Sequence, residues 1–96
     1  VLFQAAQYYA GKADYKKAVG IYSKAFAKDT KRPRFQDPLM AIADIYEIMD
    51  DYANAAKTYD RIIDLLENEW GLTEETDSAV IFAKKEKARL LAKALN

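Results

Sequence analysis

The chain has 96 residues, about half of them hydrophobic and nearly a third charged, with three glycines, two prolines and neither histidine nor cysteine. That length allows one modest core. The composition belongs to a compact helical protein, and the missing His and Cys exclude imidazole bases, thiolate nucleophiles, soft-metal sites and disulfides.

The first predicted helix, about residues 2–11, sets Leu2, Ala5, Ala6 and Tyr9 at the three-and-four spacing of one face. Gly11 reads as its end signal and Asp14 as the N-cap of the next helix. That second helix, about 15–28, presents Ala18, Ile21, Tyr22, Ala25 and Phe26. Ala18 and Ala25 let a neighbouring helix approach, while Tyr22 and Phe26 fill the space beside them. So short a turn makes the two helices antiparallel.

In the connector, residues 29–37, Lys31, Arg32 and Arg34 surround Pro33 and Phe35. This group would touch an acidic partner or a phosphate backbone, or it is a solvated loop with Phe35 tucked back on the helices. Zero net charge favours the loop and argues against nucleic acid as a partner. Asp37 reads as an N-cap, with Pro38 in the first helical position.

The third helix, about 38–49, has Leu39, Ile42, Ala43 and Tyr46 on its core face, leaving Met40, Asp44, Glu47 and Ile48 elsewhere. The fourth, about 52–68, is longer than the second by about a turn. Its Asp60, Asp64 and Glu67 share a face. They would meet a hard cation or, as the favoured reading, form a solvent-facing stripe, because helical carboxylates without loop carbonyls make poor cation cages.

Trp70 and Gly71 end that helix. Trp70 reads as the staple that holds loop 71–77 on the core, with an exposed anchor for a partner as the alternative. The last helix runs from 75 or 77 to 95, with Val80, Ile81, Phe82, Ala88, Leu91 and Leu95 on its apolar side and lysines with Arg89 on the other. It reads as a cap over the last hydrophobic face; a basic amphipathic helix of this kind also suits a partner or a membrane surface. No run approaches the roughly 18 apolar residues of a membrane span, so no membrane partner is expected. The absence of cysteine favours a cytoplasmic setting.

Two long-range patterns organise these elements. Tyr15, Ala18 and Tyr22 recur 37 residues later as Tyr52, Ala55 and Tyr59, and the same offset takes Leu2, Ala6 and Tyr9 to Leu39, Ala43 and Tyr46. A period of this size built from helix pairs is the mark of a repeat array. The charge falls in blocks as well. Residues 1–36 hold eight basic residues against Asp14 and Asp29. Residues 37–77 hold Lys57 and Arg61 against twelve acidic residues, and residues 78–96 hold five basic residues against Glu86. Such blocks attract within a stacked array, pair between molecules, or serve as separate solvated faces.

The stretch GKADYKKAVGIYSKAF resembles the tetratricopeptide repeat, which places a small residue and an aromatic in helix A, a Gly-Asp-Tyr-like turn, then Ala, an aromatic and Ala in helix B. By that resemblance Ala6, Tyr9, Tyr15, Ala18, Tyr22 and Ala25 take the motif sites, and Ala43, Tyr46, Tyr52, Ala55 and Tyr59 repeat them. The second copy departs at Ile62, where packing against the next helix would be wider. The family period is roughly 34, so the added residues fall in the connector.

The resemblance implies an all-α fold: a fragment of a right-handed α-solenoid with repeat 1 at about 1–36, repeat 2 at about 37–70 and a capping helix at about 75–95. It also implies a protein-interaction scaffold whose concave groove is lined by Phe3, Gln7, Ala10, Met40, Asp44 and Glu47. The Lys, Asn and Arg of the family's carboxylate clamp are absent from those positions, so basic or apolar ligands are expected over acidic tails. The alternative is a regulatory, sensory or self-assembly domain of a larger multi-repeat protein. Leu2, Phe3 and Tyr8 precede the first acidic residue, Asp14, and suggest a weak homodimer through the first helix.

Catalysis finds no support. Glycines 11, 20 and 71 are too far apart for a phosphate loop, and Glu74 with Glu75 sits in a polar loop with nothing to shift a pKa. No cofactor and no metal is expected.

Overall fold

A computed structural model describes residues 2–28 and 37–95. The basic and aromatic connector group, Lys31 to Phe35, lies outside them. Among the described residues all regular structure is helical: α1 (Leu2–Gly11), α2 (Tyr15–Lys28), α3 (Asp37–Ile48), α4 (Tyr52–Asp64), a π-helical turn (Leu65–Glu69) and α5 (Ser78–Ala94). Each helix packs chiefly on its neighbours in sequence. The Cα envelope measures 38 × 36 × 15 Å. Two helices packed about 8–10 Å apart, each with a Cα radius of about 2.3 Å, fill roughly 13–15 Å, so the slab is two helices thick. No described helix is long and apolar enough to cross a membrane.

The 37-residue echo is present in the backbone. Ala13 and Asp50 both adopt left-handed φ, 62° and 59°. Around them the hydrogen bonds repeat. Asp14 N donates to Tyr9 O at 2.9 Å and Asp51 N to Tyr46 O at 2.8 Å, while Ala13 N donates to Ala10 O at 3.0 Å and Asp50 N to Glu47 O at 2.9 Å. This is the Schellman closure, a six-to-one bond enclosing a second, shorter bond. α1 ends at Gly11, as expected, and the left-handed position falls at Ala13, because the closure needs Asp14 both to reach back to Tyr9 and to open α2. Asp14 O accepts from Ala18 N and Asp51 O from Ala55 N, at 3.0 and 3.1 Å.

Other boundaries shift for local reasons. Asp37 is the first residue of α3 and lies in its first turn, where its charge suits the helix dipole. α4 gives way at Leu65 to the π turn, closed by Trp70 N donating to Leu65 O at 3.1 Å and ended by Gly71 at φ 63°. α5 starts at Ser78, with the Asp77 side chain accepting from Ala79 N at 2.7 Å.

Ala6, Ala18, Ala43 and Ala55 are fully buried or nearly so, and Tyr22 and Tyr59 close over them. On α3 the buried set adds Ile45 to Leu39, Ile42 and Ala43, since α3 packs against both α2 and α4 and needs a wider apolar arc. The largest correction is α5. It buries Val80, Ala83 and Leu90, while the expected Ile81, Phe82, Ala88, Leu91 and Leu95 are exposed, Leu95 by 88%. With that face buried, its cations reach the acidic segment. Lys87 Nζ lies 2.5 Å from Asp60 Oδ1, and Lys84 Nζ lies 3.0 Å from Glu67 and 3.3 Å from Glu74. Of the readings open for the charge blocks, attraction within one molecule holds between these two. The outer face of α5 is therefore partly apolar, unlike a solvating cap.

On α1, Tyr8 is 60% exposed, but Leu2 and Phe3 are half-buried. Less apolar surface faces outward there than the sequence suggested.

Candidate functional site

Met40, Asp44 and Glu47 stand at i, i+4 and i+7 on α3, one stripe of a helix. Phe82, Glu86 and Arg89 repeat that spacing on α5, 42 residues later. The two stripes meet at both ends. At one end Arg89 Nη1 and Nη2 donate to Glu47 Oε2 and Oε1 at 2.7 and 2.8 Å, a bidentate fork. Arg89 Nε and Nη2 also donate to Glu86 at 3.0 and 3.1 Å, and Lys93 Nζ stands 3.5 Å from Glu47. At the other end Met40 and Phe82 flank a hollow of about 320 Å³ floored by Tyr59, Ile62 and Leu66. Between the two ends lie Asp44 and Glu86, near enough for the Glu86 charge to act on Asp44.

The electrostatics agree with that placement. Arg89, chiefly through its hydrogen bonds, holds the Glu47 carboxyl down to about 2, and Lys93 adds to this. The same bonds, to Glu47 and Glu86, raise Arg89 above its ordinary value. Asp44 goes the other way: desolvation, then Glu47 and Glu86, raise it, with Arg89 opposing. Tyr59 is pushed up to about 12 by burial first and by Asp44 and Glu86 next, and Tyr22 is raised by burial and by Asp44. Among the described residues Asp44 makes no ion pair. The ring of Tyr59 meets Phe82 edge-on, with centroids 6.3 Å apart.

The sequence-derived site residues separate into two groups. Met40, Asp44 and Glu47 share this groove, with Glu47 already engaged by Arg89. Phe3 turns its ring edge-on to Tyr22 at 5.2 Å, Ala10 is half-buried and Gln7 is exposed. Among the described residues no hydrogen bond or ring contact joins these three to the α3 stripe. Trp70 is 41% exposed. Leu72 packs on the core, and its amide donates to Leu66 O at 2.9 Å, so Leu72 helps hold the loop down.

The stripe of Asp60, Asp64 and Glu67 faces solvent, as favoured, and carries ion pairs on its edge. Asp60 and Glu67 hold Lys87 and Lys84, and Asp64 accepts from Asn68 Nδ2.

Sequence reasoning missed Tyr59, Phe82, Glu86 and Arg89 as groove residues. The signal was the shared i, i+4, i+7 spacing of 40-44-47 and 82-86-89. On the opposite side of α4 a second hollow, about 200 Å³, is lined in part by Ser23, Asn54, Lys57 and Arg61, and the Arg61 guanidinium sits 4.9 Å over the Phe26 ring.

Comparison of the chain with protein-family models, with curated proteins and with solved structures finds no match in any of the three.

Proposed function

We propose that the chain is a protein-interaction module that holds a peptide segment in the groove between α3 and α5. The observation that carries this reading is the pair of matching stripes. They form a channel with an apolar hollow at one end, a carboxylate in the middle and an ion-paired stop at the other. A hollow of this size accommodates one or two large side chains. The tetratricopeptide resemblance points to the same face of α3, and the doubled Schellman turn fits a repeat of that kind, with α1–α2 and α3–α4 as successive units of a solenoid.

The test is a peptide selected from a random displayed library on the isotope-labelled chain, mapped by amide chemical shifts. Shifts are expected to concentrate at Met40, Asp44, Phe82 and Glu86, and Met40→Ala should weaken binding while the spectrum stays folded. Shifts centred on Ser23, Lys57 and Arg61 would reject the groove.

A self-assembly role is the second reading. It is favoured by the exposed Ile81 and Leu95 on α5, a better surface for a following unit or a second copy than α1 offers.

A further inference from the structure

The groove's charge is not balanced by its own residues. Three carboxylates, Asp44, Glu47 and Glu86, meet two cations, Arg89 and Lys93. Arg89 is committed to Glu47 and Glu86, and Lys93 stands at Glu47. Asp44 is the carboxylate left over, one turn of α3 from the Met40–Phe82 hollow. Its neighbours on α2 and α4, Tyr22 and Tyr59, are neutral phenols and supply no compensation. Resting on the groove reading above, we propose that the ligand is a basic peptide segment, with an apolar side chain in the hollow and a lysine or arginine on Asp44.

The spacing fixes the ligand's pattern. Residues four apart on a helix are separated by about 6 Å along its axis. An extended peptide advances about 3.3 Å per residue and puts residues i and i+2 on one side, about 6.6 Å apart. The matching motif is therefore an apolar residue and a basic residue two positions apart. A carboxylate-bearing ligand meets the uncompensated charge of Asp44 and is rejected.

The test uses three synthetic nonapeptides in a Ser/Thr background, carrying Leu-Thr-Arg, Leu-Thr-Gln or Leu-Thr-Glu. Each is titrated into the full chain and read by fluorescence anisotropy and amide shifts. The arginine peptide should bind roughly tenfold more tightly than the glutamine peptide, as loss of one charged hydrogen bond predicts, with the glutamate peptide weakest. Asp44→Asn should remove the preference for arginine, bringing the arginine and glutamine peptides to similar affinities. Asp44→Lys should invert the ranking toward glutamate, and both variants are checked for a native amide spectrum.

Equal affinities for arginine and glutamine peptides, or an arginine preference that survives Asp44→Asn, would overturn the basic-ligand proposal while leaving the groove in place. No binding of the arginine peptide at about 1 mM would overturn it as well. Shifts outside the groove would sink both readings.

Discussion

The hairpins α1–α2 and α3–α4 contain the same internal parts and have different neighbours. Ala6, Ala18 and Tyr22 in the first are buried as Ala43, Ala55 and Tyr59 are in the second, and the two turns bond alike around Ala13 and Asp50. Outside, they diverge. The first sets two of its cations over its own rings, Lys12 at 5.6 Å from the Tyr8 centroid and Lys17 at 4.4 Å from Tyr9. The second gives its carboxylates Glu47, Asp60 and Glu67 to cations of α5. The inside of a hairpin thus follows from spacing within it, while its outer surface is decided by what the rest of the chain brings to it. The groove exists only where that second influence acts.

The strongest way to break the equivalence is to overfill it. Ala18→Trp and Ala55→Trp each force a large ring into a close helix contact and should lower stability by roughly 1–3 kcal/mol, with similar losses at the two sites in denaturant unfolding. A loss at one site alone would mean that the hairpins are not built alike.

A smaller effect sharpens the comparison at the turns. A non-glycine residue in the left-handed region carries a cost of about 1 kcal/mol, so Ala13→Gly should raise stability by roughly 0.5–1 kcal/mol. Asp50→Gly should give less, because Asp50 Oδ1 accepts from the Tyr52 hydroxyl at 2.9 Å. Unfolding midpoints of both variants decide it; a fall in stability for Ala13→Gly would contradict the observed turn.

Much of this was legible before any coordinates. The alternation of small and aromatic residues at Ala18, Tyr22, Ala55 and Tyr59 located four helices and their buried faces, because a residue that must lie between two backbones has to be small. Turn geometry was less legible: Gly11 ends α1 as expected, yet a closure that spans six residues selects its left-handed position from both ends. α5 was misjudged through hydrophobicity alone. Its apolar residues are spread over most of its circumference, and the face that packs on α4, Val80, Ala83 and Leu90, is the one that also brings Lys84, Lys87 and Arg89 to carboxylates of other elements. Half of the groove went unseen for that reason. Met40, Asp44 and Glu47 were identified on one wall, whereas the opposite wall depends on how α5 is turned.

The central claim is that α5 faces α3 across the groove, fastened by Arg89 and Glu47, and a double-mutant cycle on that pair tests it most directly. Arg89 holds the Glu47 carboxyl at about 2 against an ordinary value near 4.5. A carboxyl lowered in the folded state stabilises fully above the unfolded value, and that contribution fades as pH falls from about 4.5 toward 2. Both side chains remain partly exposed, 38% for Arg89 and 27% for Glu47, which discounts the pair to about 1 kcal/mol. With Glu47→Gln, Arg89→Met and the double variant, the coupling should be about 1 kcal/mol near pH 7 and close to zero near pH 2. A coupling near zero at pH 7 would separate α5 from α3 and contradict the groove.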